Sequence, residues 1–352
     1  KMRLEDIDKN FATPQYDKND IEWYDVKKEP FSVYGVFEED DDFVRMPEKV
    51  AKEVNEGVHI MYKCSAGGRV RFSTDSPIIA IYAEVPNMYA SSSLGMHGFD
   101  VYCDEGADKG FVGASLPDFY NKRVNGLINV SGRKWENGMH YFTVNMPLYS
   151  QARKLFIGVK KGSKVDKGKP YNEKLPIVYY GSSITQGASA SRPGMCYENI
   201  IVRRNEIDYI NLGFSGNAKG EETMANYIAD LKMGAFVYDY DYNAPTSAHL
   251  KATHEPFFTI IRKKHPDIPV IMLTKPCTNI DDYNNRECRD IIKQTYLNAK
   301  ANGDNNVYFI DGSKIFKGEY AKECTYEYCH PTDVGFIFMA DDIYSVLKEV
   351  YN

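Results

Sequence analysis

The stretch LPIVYYGSSITQG, residues 175–187, joins an apolar run to a glycine-bounded turn that carries two adjacent serines. Residues 175–181 form a continuous apolar segment of the length that is typical of a buried strand. Gly181 and Gly187 permit a tight turn from this strand into a helix. Such a turn would hold a serine hydroxyl at the mouth of a sheet, near the positive end of the next helix. Taken alone, a turn of this kind favours a structural role over a nucleophilic one.

Apolar strands and helical segments alternate through the rest of the second half. Four further strands are predicted at residues 206–216, 233–243, 268–276 and 306–312. Helices are predicted at residues 194–205, 222–232, 247–266, 281–303 and 333–352. This alternation predicts a parallel sheet that is covered by helices on both faces. The carboxyl ends of its strands are therefore the place to look for a site.

The first half of the chain has a different pattern. Short β-branched and aromatic runs, separated by turn residues, extend from about residue 21 to residue 159. In RVRFST, for example, Val70 and Phe72 alternate with polar residues, which is the period of a half-buried strand. These runs predict an antiparallel β-sandwich of jelly-roll-like form. One helix is also predicted, at residues 47–57, with Gly57 as its end.

A lysine-rich segment separates the two halves. Residues 160–174 contain almost no apolar side chains and predict a connector between domains. The chain has 352 residues, more than one average domain requires. We therefore predict a β-sandwich accessory domain at residues 1–165 and an α/β domain at residues 166–352.

The composition narrows the class of partner and the compartment. A net charge of −6 argues against nucleic acid or an anionic membrane as the main partner. No stretch approaches the roughly 18 apolar residues that a membrane span needs. The 7 cysteines lack metal-like spacing, which favours reduced thiols in a cytoplasmic protein. A secreted protein is the alternative, if a signal peptide was removed ahead of residue 1.

Three more stretches supply polar or small residues where the predicted topology places a site. NLGFSGN follows the second strand and contains Gly216, and DYDYNAP follows the third and contains Asn243. EYCHPTDVGF precedes the last helix and contains His330, with Glu327 three residues earlier. Together with these residues, Ser183 is a candidate nucleophile and not merely a turn residue.

These stretches together resemble the sequence blocks of the SGNH (GDSL-type) serine esterases, which contribute Ser, Gly, Asn and His. The first block reads Gly-Ser-Ser-Ile here, so that Ser183 matches the nucleophile, and Gly216 matches the glycine of the second. Two blocks depart from the family pattern. Asn243 lies in Tyr-Asn-Ala where many members read Gly-x-Asn-Asp, and Glu327 replaces the Asp of Asp-x-x-His. The resemblance covers about residues 175–352, and four blocks in the right order make it specific.

The resemblance implies a fold and an organisation. It implies a three-layer α/β/α, flavodoxin-like SGNH hydrolase domain with five parallel strands, preceded by the antiparallel sandwich. The arrangement also resembles a two-domain bacterial branch of these esterases, several members of which act on acylated carbohydrates.

The resemblance further implies a set of roles, which ester hydrolysis requires in any case. Ser183 would attack the acyl carbonyl, and His330 would take up its proton and return it to the leaving alcohol. Glu327 would fix the imidazole tautomer, although Asp311 is a rival for that role. Backbone N–H groups of Ser183 and Gly216 and the Asn243 side chain would hold the oxyanion. No metal or other cofactor is needed.

Three residues are weaker candidates for substrate contact. Arg192 follows the nucleophile turn, where an ion pair to the neighbouring domain is an equal alternative. Trp23 would stack on a sugar ring, or else pack on the surface. His97 lies in a loop of small residues that would reach the partner domain, and a plain loop residue is the alternative. Ser182, beside the nucleophile, is expected to cap the following helix.

The leading functional hypothesis is an O-acyl esterase whose substrate is an acetylated oligosaccharide or another small ester. A lipase, lysophospholipase or thioesterase for longer acyl chains is the rival among enzymes. A carbohydrate-binding protein without catalytic activity is the rival of another class. A homo-oligomer is left open by the sequence.

Overall fold

The first half of the chain forms two antiparallel sheets that pack as a β-sandwich. The computed structural model describes residues 18–86, 94–106, 109–118, 121–130, 138–276 and 283–351. One sheet contains β1 (Ile21–Asp25), β3 (Phe37–Glu39), β4 (Asp42–Val44), β6 (Ile78–Glu84), β9 (Pro117–Asp118), β10 (Arg123–Asn129) and β12 (Arg153–Lys160). The other contains β2 (Ser32–Tyr34), β5 (Arg69–Thr74), β7 (Phe99–Cys103), β8 (Gly110–Ser115), β11 (His140–Asn145) and β13 (Val165–Lys167). Apolar side chains from both sheets fill the space between them, Phe72 and Ile81 included.

Short helices interrupt the sandwich strands. They are α1 (Glu48–Val54), α2 (Glu56–Met61) and α3 (Leu94–His97). The prediction of a single helix at 47–57 is wrong, because Asn55 adopts an extended backbone conformation between α1 and α2. Its side chain accepts a hydrogen bond from the Val58 N–H at 2.8 Å and so caps the second helix.

The second half forms a three-layer α/β/α unit around one parallel sheet. Its strands are β14 (Ile177–Gly181), β15 (Tyr209–Gly213), β16 (Ala235–Asp239), β17 (Val270–Leu273) and β18 (Val307–Ile310). Its helices are α4 (Ser183–Gln186), α5 (Tyr197–Asn205), α6 (Glu222–Ala229), α7 (Ser247–Lys264), α8 (Tyr283–Ala301) and α9 (Asp333–Val350). The strand order is β15-β14-β16-β17-β18. The predicted fold class is therefore confirmed, with five parallel strands in the described part of this half.

The order of the strands locates the site. The chain passes from β14 to β15 on one side and then to β16 on the other, which makes β14 the switch point of the sheet. Gly181, at the end of β14, pairs in register with Gly213 of β15 and with Asp239 of β16. The loops that follow these three strands consequently leave the sheet side by side.

The two halves share their hydrophobic cores. On one face of the parallel sheet, Met46, Val58 and Tyr62 from the first half are packed among residues of α6 and α7. On the other face, Leu148 and Tyr149 are packed among residues of α5 and α9. The interface between the halves thus includes apolar contacts that are continuous with the core on both faces of the parallel sheet.

The predicted connector at residues 160–174 contains an element of its own. Strand β13 pairs antiparallel with β5 and so belongs to the sandwich. It spans the position between residues 165 and 166 at which the domain boundary was predicted. Among the described residues, no helix has both the length and the apolar character needed to cross a bilayer.

Candidate active site

A tight turn carries Ser183 out of the sheet. Ser182 caps helix α4, since its hydroxyl accepts a hydrogen bond from the Ile184 N–H at 3.2 Å. Ser183 is the first residue of that helix, where backbone N–H groups have no acceptor within the helix. A side chain at Gly181 would collide with the Asp239 carboxylate, so only glycine lets the turn lie this close to β16. The sequence stretch quoted first therefore presents a serine at the carboxyl edge of the sheet.

His330 lies between Ser183 and Glu327. The His330 Nε2 atom is 2.7 Å from the Ser183 Oγ atom. The other ring nitrogen, Nδ1, is in a short contact with the Glu327 carboxylate, and the same carboxylate oxygen accepts the His330 backbone N–H at 3.1 Å. A carboxylate at Nδ1 keeps the proton on that nitrogen and leaves the Nε2 lone pair free to accept one. The three residues thus have the arrangement that a nucleophile, a base and an acid of a catalytic triad require.

Glu327 and His330 lie on the same short, closed loop. Thr325 and Pro331 form a bridge at its base, and the Tyr326 N–H donates to the His330 carbonyl at 2.8 Å. The loop is open to solvent, with 45% of the Glu327 side chain exposed. Solvent therefore screens part of the Glu327 charge.

Two further loops bring amide groups to the same edge. Gly216 is exposed and has φ +70°, a conformation that favours glycine, and a Cβ atom at this position would meet nothing within 4 Å. Asn243 ends a 3₁₀ helix after β16, and its Oδ1 atom accepts the Ala218 N–H at 3.3 Å. Because Oδ1 is engaged as an acceptor, the Asn243 Nδ2 group is the one that can donate. The site residues expected in Ser, Gly, Asn and His blocks are thus on loops of one sheet edge.

Gln186 and Tyr149 connect the Ser183 turn to its surroundings. The Gln186 side chain, fully buried, accepts the Ser215 N–H at 2.9 Å and donates to the Leu148 carbonyl at 3.2 Å. The Tyr149 hydroxyl donates to the Ser183 carbonyl at 3.2 Å. These contacts join the helix of Ser183, the loop of Gly216 and a loop of the sandwich.

Arg45 supports the Gly216 loop from the sandwich side. It donates to the Gly213 carbonyl at 2.6 Å and to the Met61 carbonyl at 2.7 Å. Its guanidinium lies 4.5 Å from the centroid of the Phe214 ring. Burial lowers the pKa of Arg45 to about 10, so the group is still charged at neutral pH. No sequence pattern pointed to Arg45, Tyr149 or Gln186 as supporting residues, although Gln186 lies in the stretch 175–187 that carries Ser183.

Two buried carboxyl groups lie under the site. Asp239 is 3% exposed and accepts a hydrogen bond from the Thr185 hydroxyl. Burial raises the pKa of Asp239 well above its usual range. Asp241 accepts the Lys275 N–H at 3.0 Å, and burial raises its pKa to about 6. Burial therefore favours the neutral, protonated form of the Asp239 carboxyl group, which lies beneath the turn.

Two of the weaker candidates contact the sandwich. Arg192 donates to the Tyr102 hydroxyl at 3.3 Å and lies 3.7 Å from the buried Asp100 carboxylate, which is the inter-domain ion pair given as its alternative. Trp23 lies in β1 with its ring edge-on to Tyr82, the centroids 6.4 Å apart. Both side chains have structural contacts, and their part in substrate binding stays a prediction.

The structure corrects the role predicted for His97 and gives Asp311 a structural role. His97 is 0% exposed, and its Nδ1 atom is 2.6 Å from the Ser150 hydroxyl, so it has no surface to offer a substrate. Because the His97 side chain is buried, the structure does not support the prediction that His97 contacts substrate. Asp311 caps the 3₁₀ helix Gly312–Lys314 and accepts from Ser313. Glu327 has the contact with His330 that Asp311 was considered for.

Cys329 lies beside the acid and the base. Within the part of the chain that the structure describes, potential ligand atoms of Glu327, Cys329 and His330 all lie within 4.8 Å of one another. Burial and the Glu327 charge raise the pKa of the Cys329 thiol, whereas Tyr242 and Lys275 act in the opposite direction. The spacing of the cysteines in the sequence gave no sign of this cluster, since only one of its members is a cysteine.

Two protein-family models match the chain, one over each half. A family described as GDSL-like Lipase/Acylhydrolase matches residues 174–348, and one described as the N-terminus of Esterase_SGNH_hydro-type matches residues 21–165. No curated protein gives a significant match to the sequence.

Solved structures share the arrangement of both halves. A protein from Bacteroides ovatus assigned as a GDSL-like lipase is 26% identical, with a TM-score of 0.83 over 94% of this chain and 98% of that one. A salicylyl-acyltransferase from a tetracycline biosynthetic pathway is 19% identical, with a TM-score of 0.77 over 95% and 99%. An acetyl xylan esterase from Butyrivibrio proteoclasticus is 12% identical, with a TM-score of 0.58 over 94% and 98%. The two less similar structures share the fold alone. On the two family matches and the arrangement of its candidate site, the chain belongs to the SGNH (GDSL-type) esterases and acylhydrolases, which are carboxylic ester hydrolases.

Proposed function

We propose that this hydrolase removes O-acetyl groups from carbohydrate through a triad of Ser183, His330 and Glu327. The observation that carries the proposal is the position of the His330 ring. One nitrogen lies 2.7 Å from the Ser183 hydroxyl and the other contacts the Glu327 carboxylate. An activated serine forms and releases an acyl group without any metal or other cofactor.

Acylation begins at the Ser183 hydroxyl. Its oxygen attacks the acetyl carbonyl while its proton passes to His330 Nε2. Glu327 stabilises the imidazolium that forms and remains ionised itself. The tetrahedral intermediate collapses when His330 returns the proton to the leaving sugar hydroxyl, which leaves acetyl-Ser183.

Deacylation repeats these steps with water as the nucleophile. His330 takes a proton from the water that attacks the acyl carbonyl, and returns it to the Ser183 oxygen as acetate leaves. In both acylation and deacylation, the carbonyl oxygen becomes negatively charged. Backbone N–H groups of Ser183 and Gly216 and the Asn243 amide supply the donors, and one such donor is typically worth about 10² to 10³ in turnover.

The substrate class rests on two observations. Aromatic side chains stand in solvent on the loop of the base, Tyr326 at 80% and Tyr328 at 91% exposure. Tyrosine rings of this kind offer an apolar face and a polar edge to a sugar ring. Structural neighbours with the same fold include an acetyl xylan esterase and carbohydrate esterases of family two. We propose an acetylated oligosaccharide on this basis.

The test compares acyl groups and then natural substrates. Turnover of acetyl and octanoyl nitrophenyl esters is measured first, followed by acetate release from acetylated xylan, mannan and pectin fragments. We expect a preference for acetyl and acetate release from at least one glycan. The Ser183→Ala variant is the control, and it should lose turnover by about 10⁴-fold or more while it unfolds at the wild-type temperature.

The rival functions give different results. A strong preference for octanoyl esters would favour a lipase, lysophospholipase or thioesterase. Binding of acetylated glycan without release of acetate would favour a non-catalytic carbohydrate-binding protein. Equal turnover by wild type and Ser183→Ala would exclude Ser183 as the nucleophile.

A further inference from the structure

Three different ligand types meet on the loop of the catalytic base. Glu327 offers a carboxylate oxygen, Cys329 a thiol sulfur and His330 an imidazole nitrogen, all within 4.8 Å of one another. The mechanism above uses the carboxylate and the imidazole and gives the thiol no task. The bridge between Thr325 and Pro331 closes the loop and keeps the three side chains together.

The set of donors suits zinc better than it suits Mg²⁺ or Ca²⁺. Zn²⁺ binds thiolate sulfur at about 2.3 Å and imidazole nitrogen at about 2.0 to 2.1 Å, usually with four ligands. Tetrahedral ligand atoms at such distances stand roughly 3.5 Å apart, so small side-chain rotations would bring the three atoms into range. Mg²⁺ and Ca²⁺ prefer oxygen ligands, and Cys329 would not serve them.

We propose that Glu327, Cys329 and His330 form a Zn²⁺ site, with water as the fourth ligand, and that Zn²⁺ bound there inhibits the esterase. The metal takes the place of the proton between the Glu327 carboxylate and His330 Nδ1. The inhibition rests on the proposed function, whereas the binding of the metal does not.

The chemistry of the imidazole explains the inhibition. A neutral imidazole that binds a metal through Nδ1 carries its proton on Nε2. The Nε2 atom, 2.7 Å from the Ser183 hydroxyl, then donates where catalysis requires it to accept. The thiol proton of Cys329 leaves to solvent when the sulfur binds the metal, so each zinc ion releases one proton.

Two neighbours of Cys329 act on such a site. Burial and the Glu327 charge raise the pKa of the Cys329 thiol, and the Tyr242 hydroxyl and the Lys275 charge offset this increase only in part. A thiolate is the form that binds zinc, but the positive charge of Lys275 also repels the ion. The site is therefore expected to bind zinc reversibly and more weakly than a structural site with several thiolates.

The first experiment measures binding without reference to catalysis. Zn²⁺ is titrated calorimetrically into wild type, Cys329→Ser and Ser183→Ala, and Co²⁺ is used as a spectroscopic substitute. We expect one ion per chain in wild type and in Ser183→Ala, with a thiolate-to-cobalt absorption band. Cys329→Ser should lose the band and bind zinc at least about tenfold more weakly. The control Glu323→Gln removes an exposed carboxylate just ahead of the loop and should bind like wild type.

The second experiment measures hydrolysis of a small acetyl ester with Zn²⁺, with Mg²⁺ and with a chelator. Zinc should inhibit wild type, the chelator should restore turnover, and Mg²⁺ should have no effect. Cys329→Ser should keep the basal turnover of wild type and require at least about tenfold more zinc for the same inhibition.

The outcomes separate the two proposals. Equal zinc affinity and equal inhibition in wild type and Cys329→Ser would overturn the metal site, even if the esterase proposal stands. Zinc binding that depends on Cys329, in a protein that hydrolyses no ester, would support the metal site and overturn the proposed function. Absence of zinc binding in an active wild type would overturn the site alone.

Discussion

The direction of proton transfer is set at the scale of single residues. Each nitrogen of His330 has a different neighbour, a hydroxyl at Nε2 and a carboxylate at Nδ1. The carboxylate keeps the proton on Nδ1, so Nε2 is the nitrogen that can accept a proton. In the proposed triad Glu327 provides this carboxylate, although the SGNH block pattern has Asp-x-x-His at this place. Its longer side chain reaches Nδ1 from the third residue before His330, on a loop closed by the Thr325–Pro331 bridge.

Exposure of Glu327 leads to a prediction about its share in catalysis. In Glu327→Gln the side-chain oxygen can still accept the Nδ1 proton, but the charge that stabilises imidazolium is lost. Because solvent already screens that charge, we expect turnover to fall by about 10 to 100-fold. His330→Ala removes the base and should cost about 10⁴-fold or more. Steady-state kinetics on a small acetyl ester measure both.

The comparison has a clear contrary outcome. Wild-type turnover in Glu327→Gln would show that Ser183 and His330 act as a dyad. A loss equal to that of His330→Ala would show that the charge of Glu327 is not screened as its exposure indicates.

The buried Asp239 leads to a prediction about stability and pH. Burial raises the pKa of Asp239 well above the usual 3.8, so the folded protein binds this proton more tightly than the unfolded chain. The stabilisation is complete at low pH and is lost as the pH rises through the folded pKa. Asp239→Asn, which imitates the protonated form, does not titrate. We therefore expect wild type to lose melting temperature relative to Asp239→Asn as the pH rises from about 5 to about 9.

Thermal unfolding of both proteins across this range checks the sign. Turnover near neutral pH should be similar in the two proteins, because the amide oxygen can still accept from Thr185. A difference in melting temperature that stays constant across the range would contradict a titrating Asp239.

The loop between β15 and α6 is positioned by several elements together. Helix α4 contributes Gln186, which accepts the Ser215 N–H, and the sandwich contributes Arg45, which donates to the Gly213 carbonyl. Within the loop, the Asn217 side chain donates to the Ser215 carbonyl at 2.8 Å. Gly216 follows directly on these restrained residues. The direction of its N–H group therefore depends on contacts that do not themselves touch a substrate.

Gln186→Met tests this positioning. The change keeps the length of the side chain but removes the Gln186 partner of the part-buried Ser215 N–H and of the buried Leu148 carbonyl, and an unpaired buried group costs about 1 to 3 kcal/mol. A displaced Gly216 N–H stabilises the oxyanion less well, so kcat should fall by about tenfold while KM changes by less than about threefold.

The matched control is Gln294→Met, an exposed residue of α8 whose side chain donates to the Asn298 side chain at 2.8 Å. It should leave both kcat and stability within experimental error. Loss of stability in Gln186→Met with unchanged kcat would show that Gln186 is structural and does not position the loop.

At the scale of the whole molecule, the sandwich packs against both faces of the α/β half. Its residues Met46, Val58 and Tyr62 lie in one core of the α/β half, and Leu148 lies in the other. Polar contacts accompany them, such as the one between Arg71 and Glu206 at 3.3 Å. A domain that only delivered substrate would not need to contribute residues to the apolar clusters on both faces of the parallel sheet.

Deletion of residues 1–165 is therefore expected to abolish folding. Each apolar side chain buried at the interface contributes about 1.5 to 3 kcal/mol, and together they rival the 5 to 15 kcal/mol of a typical domain. The fragment should aggregate or lack cooperative unfolding, and it should not hydrolyse a small acetyl ester. Gel filtration, near-ultraviolet circular dichroism and the ester assay measure these properties. A monomeric fragment with full activity would show that the sandwich is dispensable for catalysis.

Local patterns of the sequence determined the layers of the fold and the candidates for the site. Buried parallel strands are continuous apolar runs, so those ending near Gly181 and Gly213 could be recognised without coordinates. Parallel strands place their carboxyl ends at one edge, and this rule grouped the loops that follow β14, β15 and β16, whereas only the family resemblance joined Ser183 to His330 across 147 positions of the chain. The family resemblance then assigned their roles.

The tertiary structure alone decided which residues support that site. Arg45 contacts Gly213 across 168 positions, and no local periodicity records such a contact. His97 could not be distinguished from an exposed loop residue until its burial against Ser150 was known. Cys329 became a candidate ligand only when the loop brought it beside His330 and Glu327. Sequence patterns indicate which face of each segment is exposed to water. The roles of these residues depend instead on which side chains, distant along the chain, are buried next to one another.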